Sequence, residues 1–291
     1  MFSAFKYILI TMRPAQWVKN TFIFAGLLFS RNLFNPAALL EVSTGFILFS
    51  LAASGIYVFN DILDIENDKR HPEKSKRPLA SGHLRVSAAY FAAIGLVGFS
   101  LLASIFLNRL FFLILLAYVV MNVAYTLRLK HVVILDVMCI AFGFVFRVLA
   151  GTELAHVSAS DWLLICTITI SLFLGFSKRR HELSLMEEDS TNHRRVLGQY
   201  CLPFLDQMIG VATACTVMSY ALYSISPETV ARFGTSNLVF TLPFVLYGVF
   251  RYLYLIHQRN EGGNPTAALL KDYPLLINGV LWFVTVLVII Y

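Results

Sequence analysis

Nine apolar stretches dominate the chain, at residues 17–35, 41–62, 86–106, 109–127, 133–152, 160–177, 203–226, 238–257 and 274–291. Each is close to the ~17–25 residues that an α-helix needs to cross the hydrocarbon core of a bilayer. In hydrocarbon, every backbone N–H and C=O must be satisfied inside its own segment, so continuous runs of this length call for helices. Charged residues make up only 14% of the sequence and mean hydropathy is +0.71, whereas soluble domains carry roughly 25% charged residues. The expected fold is an all-α integral membrane bundle of nine spans. It forms one domain over residues 1–291, with residues 1–16 lying in the membrane interface.

The positive charges set the orientation. With the N-terminus cytoplasmic, and Lys19, Arg251 and Lys271 snorkelling to that side, 19 of the 23 Lys and Arg face the cytoplasm. Arg31, Arg109 and Arg232 face the other way, and Arg147 lies within the fifth span. This is the positive-inside bias of a multi-pass protein of the inner (cytoplasmic) membrane. It directs attention to the two long cytoplasmic loops, residues 60–85 and 178–200. The net charge of +6 belongs to that one face, where it suits anionic lipid and calls for no nucleic acid. Cys139, Cys166, Cys201 and Cys215 have no paired spacing and read as free thiols. The N-terminus has no small-residue cleavage site after a short apolar region, so no cleavable signal is expected.

The first loop reads NDILDIENDKRHPEKSKRPLASGH from Asn60 to His83. Asp61, Asp64 and Asp68 are spaced i, i+3, i+7, which puts three carboxylates on one side of a helix. Like charges so placed repel unless a cation sits among them. Hard oxygen ligands suit Mg²⁺, which takes one or two carboxylates and completes its sphere with water and phosphate oxygens. A carboxylate at a membrane boundary is expensive and usually functional. Lys69, Arg70, His71, Lys74, Lys76, Arg77 and Arg85 supply cations beside the acids. Metal with Lys and Arg makes a diphosphate clamp, although topology alone accounts for several of these bases. Pro72, Pro78 and Gly82 shape the loop.

This block resembles the first aspartate-rich motif, NDxxDxxxD followed by RPL and a glycine, of the UbiA superfamily of intramembrane prenyltransferases. The resemblance extends over essentially the whole chain and implies the nine-span bundle of that superfamily. Further stretches resemble a particular branch: RPAQWVKN at 13–20, HPEKSKRPLASG at 71–82, YTLRLKHVVILDV at 125–137, FRVLAG at 146–151 and FSKRRHELSLMEED…HRRVLGQY at 176–200. Members of that branch move a 5-phosphoribosyl group from phosphoribosyl pyrophosphate to a decaprenyl-type phosphate. The chain departs from the superfamily's second DxxxD motif. It offers KRRHELSLMEED there, from which Glu182 is taken as the further metal ligand, and Glu187, Glu188 and Asp189 read as a solvated patch.

The expected chemistry is Mg²⁺-dependent glycosyl transfer, with pyrophosphate leaving as a phosphate oxygen of the lipid attacks C1 of the ribose. Asp61, Asp64 and Asp68 are the expected metal ligands, Asn60 orients a carboxylate or a phosphate, and Lys74 and Arg77 clamp the donor. The acceptor phosphate is already ionised, so no strong general base is needed. Lys178, Arg179, Arg180, Arg194 and Arg195 suit a donor with an additional 5-phosphate. Gln16, Lys19 and Asn20 lie where the first span meets the cytoplasm; Gln16 and Lys19 fit either substrate contact or interfacial anchoring. Arg128 and Lys130 fit either the acceptor phosphate or the charge bias of that face. Asp136 and Arg147 are about 16 Å apart along one helix and each needs a partner from another element. Two rivals stand beside this reading. One is prenyl transfer from a diphosphate to an aromatic acceptor. The other is a transporter, which would place polar residues near the bilayer midplane.

Overall fold

The structure is a computed structural model describing residues 2–30, 33–70, 74–188, 196–259, 268 and 271–291. It is helical, with no strand among the described residues. In chain order the α-helices are α1 (Phe2–Thr11), α2 (Ala25–Leu28), α3 (Pro36–Leu63), α4 (Ile65–Lys69), α5 (Val86–Leu107), α6 (Arg109–Leu127), α7 (Leu135–Leu154), α8 (Asp161–Glu188), α9 (Leu202–Ile225), α10 (Pro227–Phe233), α11 (Leu242–Gln258) and α12 (Tyr273–Ile290). Eight helical segments among the described residues are long and apolar enough to cross a membrane, and the chain is a multi-pass membrane protein. They are α3, α5, α6, α7, α8, α9, α12 and the segment Asn237–Gln258 that contains α11.

The first expected span, 17–35, is not one long α-helix. Its described residues lie mostly in a 3₁₀ helix, Pro14–Phe24, which continues into α2. A 3₁₀ run is usually three or four residues, and this one has eleven. Its backbone packs closely against α7. A Cβ on Gly151 would sit 1.8 Å from the carbonyl oxygen of Ile23, and one on Gly26 would sit 2.8 Å from the backbone of Gly151. Beside this crossing Asn20 is buried, donating to Ser50 Oγ (2.8 Å) and accepting from Arg147 Nε (2.7 Å). Arg147, the deep charge of the sequence, also donates to Tyr118 Oη and lies over the rings of Phe49 and Tyr118. It is therefore a packing and hydrogen-bonding residue, solvated by protein groups rather than water.

The ends of the loops also move. The second cytoplasmic loop was expected from residue 178, but α8 continues to Glu188, so Lys178, Arg179 and Glu182 stand on a helix. Asn108 alone joins α5 to α6: it is extended (φ −163°, ψ 133°), and its side chain caps α6 by accepting from the N–H of Phe111.

The chain divides into two compact units, residues 1–130 with 146–158, and residues 131–145 with 159–291. α7 contributes its first half to the second unit and its second half to the first. The core of the first unit gathers Ile23, Leu27, Phe49, Phe111, Leu115 and Leu154. That of the second gathers Phe173, Leu205, Ile209, Val249, Tyr252 and Leu255. α5 leaves Phe91, Ile94, Phe99 and Phe106 exposed, as lipid-facing side chains would be.

In the second unit Asp272 caps α12, accepting from the N–H of Leu275, and takes a two-pronged contact from Arg251 (3.1 and 2.8 Å). The guanidinium holds its carboxyl below the usual carboxylate range. A depressed pKa adds stability above the unfolded value, and that stability is lost as pH falls through the folded one. Asp272→Asn should lower the melting temperature of the detergent-solubilised protein at neutral pH. The gap to the unmodified protein should narrow below about pH 4, where the unfolded carboxyl is itself protonated. A gap that is constant with pH would show that the charge is not responsible.

Candidate active site

The acidic motif sits in the first unit where α3 gives way to α4. α3 stops at Leu63, Asp64 forms the junction (φ −95°, ψ 6°), and α4 resumes at Ile65. Seven residues bring a helical position back to within about 20° of its start, while three leave it about 60° away. Asp61 and Asp68 accordingly share a partner. Arg77 Nη1 donates to Asp61 Oδ1 at 3.1 Å and to Asp68 Oδ2 at 2.6 Å. Asp64 turns aside, accepting from Asn60 Nδ2 (3.0 Å) and Lys130 Nζ (2.8 Å). Asp61 and Asp68 are almost fully buried, at 2% and 4% exposure, and Lys130 is 6% exposed.

The loop from Arg77 to Leu84 is folded so as to present Arg77. Ser81 N–H donates to the Arg77 carbonyl, and Leu84 N–H to that of Pro78. Gly82 adopts φ +78°, a conformation that disfavours any side chain. Leu79 and Leu84 then bury against Val58, Ile62, Ala89 and Ala93. The RPLASG pattern thus has a mechanical meaning: it anchors the loop on α3 and α5 and aims one guanidinium at two carboxylates.

One residue of this site escaped the sequence reading. Arg13 donates to Asp61 through Nη2 and lies 5.4 Å from the centre of the Tyr57 ring. Its backbone is left-handed (φ 53°, ψ 62°) immediately before Pro14, a costly conformation that tends to occur at functional sites. The signal was present in RPAQWVKN, but an arginine beside an interfacial helix is indistinguishable from a topology charge. With it, three cations (Arg13, Arg77, Lys130) meet three carboxylates (Asp61, Asp64, Asp68).

The other expected residues fall as follows. Gln16 and Lys19 are half-buried on the 3₁₀ helix, three and six residues beyond Arg13. Trp17 between them donates to Ser54 Oγ of α3 at 3.0 Å, tying the two elements. Lys74 is half-buried in the short turn before Arg77, and Arg128 is exposed at the end of α6. His71, Asp189, Arg194 and Arg195 lie outside the described residues, as do the side chains of Glu187 and Glu188.

The second unit has its own charged group. Arg179 is buried (1% exposed), donating from Nε to the fully buried Asp136 at 2.6 Å and from Nη1 to Glu182. Tyr200 Oη donates to the other oxygen of Asp136 at 2.7 Å. Lys178 Nζ lies 3.8 Å from Glu182. Arg180 and His257 share Asp206. Asp136 and Arg147, read from the sequence as needing separate partners, have them: Arg179 and Tyr200 for the first, Asn20 and Tyr118 for the second.

Among the described residues, no three His, Cys, Asp or Glu side chains come together to hold a metal by themselves. The donor set nonetheless suits a magnesium ion. Arg77 Nη1 occupies the place from which a single cation reaches both Asp61 and Asp68. Two carboxylates with phosphate and water oxygens are a usual magnesium environment.

Comparison with known proteins decides the family. The chain matches the UbiA prenyltransferase family over residues 20–289. It belongs to that family. Among curated UbiA relatives is a decaprenyl-phosphate phosphoribosyltransferase of Corynebacterium glutamicum, 30% identical over 285 residues that cover 96% of this chain and 85% of that protein. The protein of the same description from Mycolicibacterium smegmatis is 31% identical over 293 residues, 96% of this chain and 91% of that one. Among solved structures, a UbiA homolog from Archaeoglobus fulgidus bound to GPP and Mg²⁺ superimposes with a TM-score of 0.75 at 18% identity, covering 98% of this chain and 99% of that one. At that identity the likeness speaks for the fold, which is the UbiA membrane fold.

Proposed function

We propose that this UbiA-family enzyme transfers the 5-phosphoribosyl group of phosphoribosyl pyrophosphate to a polyprenyl phosphate of decaprenyl type, releasing pyrophosphate at the cytoplasmic membrane face. The observation that carries the reading is the near full-length likeness to relatives described as decaprenyl-phosphate phosphoribosyltransferases. The cluster of acids and bases in the first unit is chemistry suited to it. A phosphate oxygen of the acceptor attacks C1 of the ribose, and the C1–oxygen bond to pyrophosphate breaks with its electron pair leaving on pyrophosphate.

Asp61, Asp64 and Asp68 are the proposed holders of Mg²⁺ in the first unit, and Glu182 is proposed separately as a cation-binding carboxylate of the second. When bound, the ion supplies positive charge to the departing pyrophosphate. Arg13, Arg77 and Lys130, which neutralise the carboxylates in this structure, are the cations nearest to receive phosphate oxygens. Their planar or pointed donor geometry decides the division: the two guanidiniums suit a diphosphate by paired contacts, and Lys130 acts as a point charge. Lys74, Lys19, Gln16, Arg128 and Lys178 are proposed as further substrate contacts, and Asn60 keeps Asp64 oriented. The acceptor phosphate carries its own negative charge, so the chain has no need to remove a proton from it.

The proposed topology has the N-terminus cytoplasmic and nine crossings in one membrane domain. The ninth is the segment 14–28, because a 3₁₀ helix rises about 2.0 Å per residue and an α-helix about 1.5 Å. Together the two extend roughly 28 Å, close to the ~30 Å of a hydrocarbon core.

Donor choice can be tested by ligand-dependent melting of purified protein in detergent with Mg²⁺. Phosphoribosyl pyrophosphate should raise the melting temperature, and geranyl diphosphate should do so less. The reverse order would support prenyl transfer to an aromatic acceptor and overturn the reading.

A further inference from the structure

Tyr200 ends the segment HRRVLGQY and is given no role in the transfer step proposed above, yet its hydroxyl is buried and doubly used. It donates to Asp136 Oδ1 at 2.7 Å and accepts from the backbone N–H of Ile134 at 2.7 Å. Ile134 is left-handed (φ 69°), a conformation that a β-branched residue adopts only under constraint. Burial raises the Tyr200 phenol well above its ordinary pKa, so it stays a neutral donor. The opposite oxygen of Asp136 accepts from Arg179 Nε at 2.6 Å, and Arg179 in turn donates to Glu182. Asp136 and Arg179 are 0% and 1% exposed, whereas the Glu182 side chain is 28% exposed.

A buried guanidinium held this way cannot swing to a phosphate without leaving Asp136 as an uncompensated buried charge, which is strongly unfavourable. Arg179 was expected from the sequence to bind substrate. Its geometry makes it a strut instead, with one nitrogen spent on Asp136 and another turned to the carboxylate that faces outward. We propose that Tyr200 is a positioning residue, fixing the carboxylate of Glu182 for cation binding by way of Asp136 and Arg179. The inference rests on the proposed role of Glu182 and adds to it the residues that set its orientation. Loss of a group that holds a metal-binding carboxylate from behind typically costs about 10- to 100-fold in metal affinity. Lys178 also faces Glu182, but at 3.8 Å and 41% side-chain exposure it constrains the carboxylate little.

The test uses full-length protein in detergent and four forms: unmodified, Tyr200→Phe, Glu182→Gln and the double variant. Mn²⁺ binding is followed by electron paramagnetic resonance, with the Mg²⁺ half-saturation of transfer and the melting temperature measured in parallel. Tyr200→Phe is expected to weaken Mn²⁺ binding about tenfold or more. In the Glu182→Gln background it should change binding by less than about twofold, because the two act through one carboxylate. Arg179→Lys, which keeps the charge but loses the fork, should behave like Tyr200→Phe and guards against a folding defect peculiar to the phenol. Equal effects of Tyr200→Phe with and without Glu182 would overturn the inference, as would a fall in melting temperature with metal affinity unchanged. If Glu182→Gln alone leaves Mn²⁺ binding intact, the metal role of Glu182 itself falls, a separate outcome from additivity.

Discussion

Asp61→Asn is expected to reduce transfer by roughly a thousandfold or more while the protein remains in the membrane. The carboxylate is 2% exposed and accepts from both Arg13 and Arg77. Asparagine keeps the shape and removes the charge, leaving two guanidiniums converging on a neutral amide. It also removes one of the oxygens through which a cation would be held. Loss of a single preorganised electrostatic group typically costs a hundred- to a thousandfold in rate (~2.7–4 kcal/mol), and here one substitution disturbs both the proposed cation site and the two arginines proposed to receive phosphate. Initial rates at saturating donor, taken with the melting temperature, separate loss of chemistry from loss of fold. More than about a tenth of the activity remaining would mean that Asp61 is only a structural counter-ion.

Gly151→Ala should be the most damaging single-methyl change for folding. The added Cβ would stand 1.8 Å from Ile23 O and within 3 Å of its carbonyl carbon and Cα. All three are backbone atoms, so no rotamer change relieves the clash. The 3₁₀ segment would have to withdraw from α7, dragging Asn20 from Arg147 and leaving buried polar groups unpaired. A cost above about 4 kcal/mol is expected, the range reserved for broken cores and orphaned charges. Gly98→Ala is the matched control: its Cβ would meet nothing within 4 Å, and alanine is the better helix former by about 1 kcal/mol. Monodisperse yield after detergent extraction should collapse for the first and hold for the second. Normal yield of Gly151→Ala would show that the close crossing is not required.

The spans were legible because hydrocarbon imposes length and composition together, and the acidic motif was legible because three carboxylates at a membrane boundary demand a reason. The first span deceived because apolar content carries no information on whether a segment coils as α or 3₁₀. Nor does it reveal the close crossing at Gly26 and Gly151, more than a hundred residues apart in sequence. The motif's spacing predicts one side for all three carboxylates; Asp61 and Asp68 do share Arg77, but Asp64, at the break after Leu63, turns to Lys130 instead. The partners of Arg13 and Arg179 were not legible for one reason. The positive-inside bias makes arginines in the loops of one face look alike in sequence, and only burial and partners tell them apart.

The most direct measurement follows ribose-labelled phosphoribosyl pyrophosphate into the lipid fraction, using purified protein, Mg²⁺ and decaprenyl phosphate, with Asp64→Asn and metal-free reactions alongside. The account predicts a labelled phosphoribosyl lipid formed together with pyrophosphate, and its loss in both controls. No labelled lipid, with turnover instead of a prenyl diphosphate and a phenolic acid, would contradict it.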